Sequence, residues 1–132
     1  MPRELTGAAG LYDGVPYAYA AVAPAGSTVF TAGACPLDVA GEVVCPGDVA
    51  GQTRRCLANL DAALAAAGCD RADVVKTTVY VASADRDDLL AAWAEVEAAH
   101  GADGPPSTLL GVTVLGWPGQ LVEIEAVAAP PG

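Results

Sequence analysis

Apolar and β-branched residues occur in several short runs, and in places they alternate with polar residues, which is the pattern of half-buried strands. The clearest run is Val74–Val81, VVKTTVYV. The runs Tyr17–Val22 and Thr28–Ala32 are separated by Pro, Gly and Ser, and we expect them to pair as a hairpin. Residues 1–14 contain Gly and Pro without a period, which predicts a loosely ordered lead-in.

The C-terminal stretch Ser107–Ala128 is predicted to form a second hairpin. One run extends from Thr108 to Leu115, Gly-Trp-Pro-Gly interrupts it, and another run follows. Side chains alternate along a strand, so the second run divides into two faces: Val122, Ile124 and Ala126 on one, and Leu121, Glu123, Glu125 and Val127 on the other. A carboxylate on such a part-apolar face must be paired, neutralised or used in chemistry.

A period of three to four residues predicts two helices. The first extends from Asp48, its N-cap, to about Ala67, and Gly68 suits a left-handed C-terminal cap. The second runs from about Asp85 to Ala99, with Ser83 as its cap and His100 at its end, facing the negative end of the helix dipole. The polar side of the first helix is expected to be a solvated or interface face; it carries Gln52, Arg54, Arg55, Asn59 and Asp61.

Two helices and five or six strands predict an α+β domain with a mixed six-stranded sheet and both helices packed on one face. The chain of 132 residues is long enough for one domain and too short for two. The second face of the sheet would remain apolar, and 53% hydrophobic residues is a high content for a monomer. We therefore expect a homo-oligomer, such as a trimeric ring.

Composition argues against several kinds of partner. The formal net charge is −10, with 16 acidic and 6 basic residues, whereas nucleic acids and anionic membranes attract positive patches. No apolar stretch approaches the ~20 residues of a membrane span and no signal segment opens the chain, so a cytoplasmic location is expected. The cysteines, at positions 35, 45, 56 and 69, form no C-x-x-C pair, which makes a zinc site unexpected. Cys56 and Cys69 are predicted to be small core residues.

Two features leave their roles open. Gly33-Ala34-Cys35-Pro36 follows a predicted strand, where glycine either opens the backbone to a ligand or forms a tight exit turn. Lys76, the only lysine, lies inside a strand. It is either an imine-forming nucleophile or, as we favour, the ion-pair partner of Glu123 or Glu125.

Several segments also share the order and spacing of a known family over nearly the whole chain: Pro16-Tyr17, Thr31-Ala32-Gly33, Asp48-Val49-Ala50 with Gln52-Thr53-Arg54, Ala67-Gly68, Asp73–Val79 and Val122–Ala126. Together they resemble the RidA family, also called YjgF/YER057c/UK114. The resemblance implies a chorismate-mutase-like α+β fold over residues 1–132 and a homotrimer with clefts between subunits. It also implies hydrolysis of reactive imines and enamines to ammonia and a keto acid, without a cofactor or a metal.

The resemblance assigns roles to individual residues. Tyr17 matches the cleft tyrosine of the family, Glu123 its water-positioning glutamate, and Ser107 the residue whose amide helps to bind the substrate carboxylate. The arginine that clamps this carboxylate is absent, because Pro106 occupies its place and supplies neither charge nor an N–H. The substrate-binding residues expected in the cleft are Gly33, Ala34, Cys35, Pro106, Ser107 and Trp117.

Two functions follow from this pattern. The first is an enzyme of altered specificity, acting by hydrolysis, water addition, cyclisation or isomerisation on an imine, enamine or carbonyl compound that lacks the usual carboxylate. Glu123 would be its general base, and Tyr17 would donate a hydrogen bond. The second is a non-catalytic trimer that binds a small ligand or acts like a chaperone. An ion pair of Glu123 with Lys76 or Arg54 would remove the main argument for the enzyme.

Overall fold

The computed structural model describes residues 2–131, which form six strands and two long helices. The strands are β1 (Glu4–Thr6), β2 (Ala20–Val22), β3 (Val29–Phe30), β4 (Val74–Val81), β5 (Ser107–Gly111) and β6 (Val122–Ala128). The helices are α1 (Val49–Ala66) and α2 (Arg86–His100), and short 3₁₀ turns occupy Arg71–Asp73 and Gly101–Asp103. The α+β class and both long helices are as the sequence predicted.

A four-stranded mixed sheet, in the order β3-β6-β4-β5, carries both helices on one face. β6 runs antiparallel to β3 and β4, and β5 runs parallel to β4. The parallel pair follows from α2, which crosses from the end of β4 back to the start of β5. β1 and β2 form a separate two-stranded sheet, so the expected single six-stranded sheet is divided in two.

The core lies between the four-stranded sheet and the helices. Alternation on β4 and β6 sends one set of side chains to this core: Val74, Thr77, Val79 and Val81 from β4, and Val122, Ile124, Ala126 and Ala128 from β6. From the helices it receives Cys56, Leu57, Leu60, Leu64, Ala92 and Val96, while Cys69 follows α1. Cys56 and Cys69 are therefore core residues, as predicted.

Both predicted hairpins are wrong. β4 lies between β5 and β6, so Ser107–Gly111 and Val122–Ala128 share no backbone pairing. β2 pairs with β1 and β3 pairs with β6, so the two N-terminal runs do not pair with each other either. Sequence proximity favours hairpins, but here the partner of each strand comes from a distant part of the chain.

The ends of the helices follow local chemistry. The Asp48 side chain accepts the Gly51 N–H at 3.0 Å, and Gly68 adopts a φ of 79° after the last turn of α1. The predicted cap of α2 is wrong by two residues: Asp85, and not Ser83, is its N-cap. Ser83 instead accepts the Asp85 N–H at 3.0 Å.

The predicted loose lead-in covers residues 1–14, and its described part, residues 2–14, is more regular than predicted. Glu4–Thr6 forms β1 with a three-residue register against Ala20–Val22. Within residues 2–131, neither helix combines the length and apolar composition that crossing a bilayer demands.

Candidate active site

Glu123 lies on β6 on the face of the sheet that points away from the helices. Its register partner is Tyr80 of β4, whereas its neighbours Val122 and Ile124 are fully buried on the helix side. The predicted alternation of the last strand is therefore confirmed, and the Glu123 side chain is half-buried.

The segment after β3 places Gly33 and Cys35 beside Glu123. Ala34 forms two backbone hydrogen bonds with Ile124, N to O at 2.7 Å and O to N at 3.1 Å, which attach this segment to β6. A Cβ built on Gly33 would lie 2.6 Å from Cδ of Glu123. Glycine is thus required for the carboxylate to occupy its position.

The Glu123 carboxylate accepts hydrogen bonds from two neutral side chains. Cys35 Sγ donates to Oε1 at 3.3 Å, and Gln120 Nε2 donates to the same oxygen at 3.1 Å. Gln120 is buried, and its Oε1 accepts the Trp117 backbone N–H at 3.1 Å. Trp117 itself is 47% exposed and lies at the border of this cluster.

Within residues 2–131, no cation pairs with Glu123. Lys76 Nζ donates to Thr108 Oγ1 at 2.7 Å, and Arg54 bonds Glu95 at 2.7 Å. The partner of Glu125 is the Tyr80 hydroxyl, which donates to it at 2.5 Å. The predicted ion pair of Lys76 with Glu123 or Glu125 is therefore wrong.

Burial raises the pKa of the Cys35 thiol above its ordinary value, and the hydrogen bond to Glu123 and the charge of that carboxylate raise it further. Side-chain hydrogen bonds with Gln120 and Trp117 oppose this rise only in part. At neutral pH Cys35 is therefore a protonated thiol that can donate to the glutamate.

Tyr17 lies in a different part of the chain's surface. Its ring meets Trp93 edge-on at 5.9 Å between centroids and Tyr19 at 6.2 Å. The backbone of its neighbour Ala18 donates to Gly104 O at 3.0 Å, which joins this segment to the loop before β5. A concavity of about 520 Å³ lies here, with Tyr17 and Gly104 in its wall.

Pro106 and Ser107 start β5 near this second region. Pro106 O accepts the Thr77 N–H at 3.0 Å, and Ser107 Oγ accepts the Thr77 hydroxyl at 2.7 Å. Thr77 is buried on the helix side of β4, whereas Tyr80, the residue of β4 opposite Glu123, faces the other side of the sheet. Ser107 and Glu123 therefore do not meet within one chain.

The predicted site residues thus form two groups. Gly33, Ala34, Cys35, Trp117 and Glu123 form the group around the carboxylate, and Tyr17, Pro106 and Ser107 form the group around the loop before β5. Among residues 2–131, no cluster of three or more histidine, cysteine or carboxylate side chains is arranged to hold a metal ion.

Sequence reasoning missed the residues that support the first group. Gln52 is fully buried, and its amide bonds Gly119 O at 3.1 Å and the Leu121 N–H at 2.8 Å. Asn59 Nδ2 donates to Cys35 O at 2.8 Å. The predicted solvated face of α1 is therefore wrong at these two positions. The inward position of Gln52 and Asn59 could have been recognised from their spacing in the sequence, since both lie about one helical turn from Cys56, which was predicted to be buried.

The chain is similar to known proteins over most of its length. The family profile described as Endoribonuclease L-PSP matches residues 12–130. A RutC family protein of Pyrococcus horikoshii is 40% identical over 112 residues, which covers 83% of this chain and 85% of the relative. A 2-iminobutanoate/2-iminopropanoate deaminase of Escherichia coli is 39% identical over 108 residues, covering 78% and 80%.

Solved structures agree with this similarity. A Rid family protein of unknown function from Yersinia pestis, YyfB, has a TM-score of 0.90 at 35% identity and covers 98% of this chain and 99% of its own. The YjgF product of E. coli has a TM-score of 0.68 at 34% identity, covering 95% and 92%.

Proposed function

Because the chain belongs to the Rid family, also known as YjgF/YER057c/UK114, we propose that it is an enzyme of altered specificity. Its substrate is a small imine, enamine or related carbonyl compound without a carboxylate at the position usual for the family. The related deaminase from E. coli supports this class of chemistry, since its name specifies imines of small acids.

One observation carries the proposal: among residues 2–131, the half-buried Glu123 carboxylate bonds only neutral donors. An ion pair would make this carboxylate a structural group, but its partners are a thiol and an amide. A carboxylate kept on a part-apolar face without a counter-ion is costly unless it is used. General-base catalysis is such a use.

The proposed hydrolysis uses Glu123 as the base. The carboxylate accepts a proton from water while the water oxygen adds to the carbon of the C=N bond, and the nitrogen, which receives the π electrons, takes up a proton from solvent. The protonated Glu123 then donates its proton to the nitrogen of the carbinolamine. The C–N bond breaks, the hydroxyl group loses its proton to solvent, and the amine and a carbonyl compound are released. Tyr17 is proposed to donate a hydrogen bond to the bound substrate.

The specificity follows from Pro106. A substrate carboxylate is best held by the two parallel N–H bonds of an arginine, and proline offers no donor. We therefore propose that the native substrate carries an uncharged group at this end.

The complete cleft is proposed to form between subunits of a homotrimer. In one chain Glu123 and Ser107 lie on opposite faces of the sheet. A second copy of the chain must therefore supply Tyr17, Pro106 and Ser107 to the cleft that contains Glu123. The face that carries Glu123 also exposes Phe30, at 76% of its surface, which favours coverage by another subunit.

The test is the release of ammonia or amine and of the carbonyl product from freshly generated imines, with and without a carboxylate. We expect the wild type to hydrolyse the uncharged imines and to leave the carboxylated ones unchanged. Pro106→Arg should gain activity toward the carboxylated imines. Glu123→Gln should lose at least about 100-fold in rate, as expected for a general base.

Glu125→Gln is the matched control, because Glu125 lies on the same face of β6 but is occupied by the Tyr80 hydroxyl. It should keep the activity of the wild type. Equal activity of wild type and Glu123→Gln would refute the proposal. If no imine were hydrolysed by any variant, a trimer that binds a small ligand without catalysis would become the better account.

A further inference from the structure

The two oxygens of the Glu123 carboxylate have different surroundings. Oε1 accepts both side-chain hydrogen bonds, from Cys35 at 3.3 Å and from Gln120 at 3.1 Å. Oε2 lies over Gly33, where only the missing Cβ leaves it room. Among residues 2–131, no donor is bonded to Oε2.

Both donors are themselves fixed. Gln120 is 4% exposed, and besides Glu123 its Nε2 bonds Val122 O at 3.0 Å. Cys35 is held through its carbonyl oxygen, which accepts from Asn59 Nδ2 at 2.8 Å. Both donors lie outside the regular elements, but these hydrogen bonds anchor Gln120 to the start of β6 and Cys35 to α1.

We infer that Cys35 and Gln120 are positioning residues, which hold Oε1 of Glu123 and leave Oε2 as the oxygen that accepts the proton. The part about Oε2 rests on the proposed function. The hydrogen bond from Cys35 does not, and it can be measured without any substrate.

The surroundings of Glu123 support a neutral donor at position 35. Burial raises the pKa of Cys35, in the segment after β3, and of Cys56, in α1, and the hydrogen bond to Glu125 raises the pKa of Tyr80, in β4; the charge of Glu123 raises the pKa of all three further. These groups are neutral at physiological pH. A cysteine thiolate would repel the carboxylate, whereas the protonated thiol donates to it.

The arrangement has a chemical consequence. Oε1 already accepts two hydrogen bonds, whereas the lone pairs of Oε2 remain available to accept a proton from water. Fixing the carboxylate also keeps the free oxygen at one place relative to the substrate, and small displacements of reacting groups are costly in rate. The reacting carbon is therefore expected on the Gly33 side.

The first experiment measures the alkylation of Cys35 by iodoacetamide, followed by peptide mass spectrometry at neutral pH, in wild type and Glu123→Gln. Without the carboxylate, the pKa of Cys35 falls. For each pKa unit of this fall, the thiolate fraction rises about tenfold and the nucleophilicity of the thiolate falls about threefold. We expect Cys35 to react at least about threefold faster in Glu123→Gln. The exposed Cys45 is the internal control and should react equally in both proteins.

The second experiment compares the steady-state rates of Cys35→Ser, Cys35→Ala and Gln120→Met. Serine keeps the donor and should retain most of the wild-type kcat. Alanine and methionine remove a donor and should lower kcat about tenfold with little change in KM.

The outcomes separate the inference from the proposed function. An unchanged alkylation rate of Cys35 in Glu123→Gln would overturn the inference whatever the enzyme does. Equal kcat values for Cys35→Ala and wild type would overturn it as well, while leaving imine hydrolysis intact. Faster alkylation together with a wild type that hydrolyses no imine would support the Cys35 bond and refute the proposed function.

Discussion

At the scale of single residues, the site depends on groups that are small or neutral. Gly33 matters because it lacks a side chain, and Cys35 and Gln120 matter because they donate without charge. None of the three is the kind of residue that a search for catalytic patterns selects first, and each contacts Glu123.

We predict that Gly33→Ala disables the site without unfolding the protein. The new methyl group would lie 2.6 Å from Cδ and 2.8 Å from Cγ of Glu123, so the side chain must move. The rate of imine hydrolysis should fall about 100-fold. Gly116→Ala is the control, since its Cβ meets nothing within 4 Å. Similar rates for both variants would contradict the placement of Glu123 over Gly33.

His100 gives a prediction about pH. It ends α2 as predicted, but burial lowers its pKa below 6.5, and the charges of Arg71 and Arg3 lower it further, against a smaller opposite effect of Asp61. Its Nε2 is buried without a partner among residues 2–131. The unfolded chain therefore binds a proton at a higher pH than the folded chain does.

The stability that this histidine contributes is present above pH 6.5 and is lost as the pH falls through its lower folded-state pKa. Urea unfolding at about pH 7.5 and about pH 5.5 should show a loss of stability that is smaller in His100→Gln. Carboxylates titrate in both proteins, so the difference between them isolates the histidine. Equal losses would contradict the depressed pKa.

At the scale of elements, α1 connects the site to the core. Its polar residues at positions 52 and 59 face inward and bond the two segments on either side of Glu123, namely the segment at Cys35 and the segment at Gly119–Leu121. The helix is therefore a support for the carboxylate as well as a cover for the sheet.

We predict that Gln52→Ala destabilises the protein by about 3 kcal/mol, because it leaves a cavity and removes the partners of buried backbone groups. Arg54→Ala lies on the same helix and removes an exposed ion pair with Glu95, so it should cost less than about 1 kcal/mol. The free energies of unfolding in urea compare the two. A cost for Gln52→Ala as small as that for Arg54→Ala would show that its hydrogen bonds contribute little.

At the scale of the whole molecule, the face of the sheet that carries Glu123 lies opposite both helices, and most of its side chains are only partly buried. The aromatic and aliphatic side chains on this face are Phe30, Val127, Tyr80 and Leu110, and the polar side chains between them are Thr78, Lys76 and Glu125. The proposed trimer would cover these groups and complete the cleft at the same time.

Sedimentation equilibrium should give three times the chain mass of 13.1 kDa. Phe30→Asp should dissociate the assembly and abolish imine hydrolysis, because it places a charge in an apolar contact beside Glu125. Val39→Asp, at a fully exposed position in a loop, should remain trimeric and active. A monomeric wild type that hydrolyses imines would refute the shared cleft.

The sequence by itself determined the local structure. Both helices, the strand Val74–Val81 and the two faces of the last strand follow from periodicity and capping, which depend on residues only a few positions apart. Alternation also placed Glu123 and Glu125 among aliphatic neighbours, and the resemblance to the family singled out Glu123 of the two.

Only the tertiary structure decided which strands pair and what surrounds the carboxylate. The hairpin prediction for Ser107–Ala128 failed because β4, from earlier in the chain, lies between its two strands. The ion pair predicted for Lys76 failed because its nearest acceptor is on β5. Cys35 lies 88 residues before Glu123 and is brought to it by the backbone bridge at Ala34, a contact that no local pattern encodes. Gln120 is only three residues from Glu123, but the fold of the turn before β6 and the burial of its amide, which aim it at the carboxylate, were not evident from the sequence.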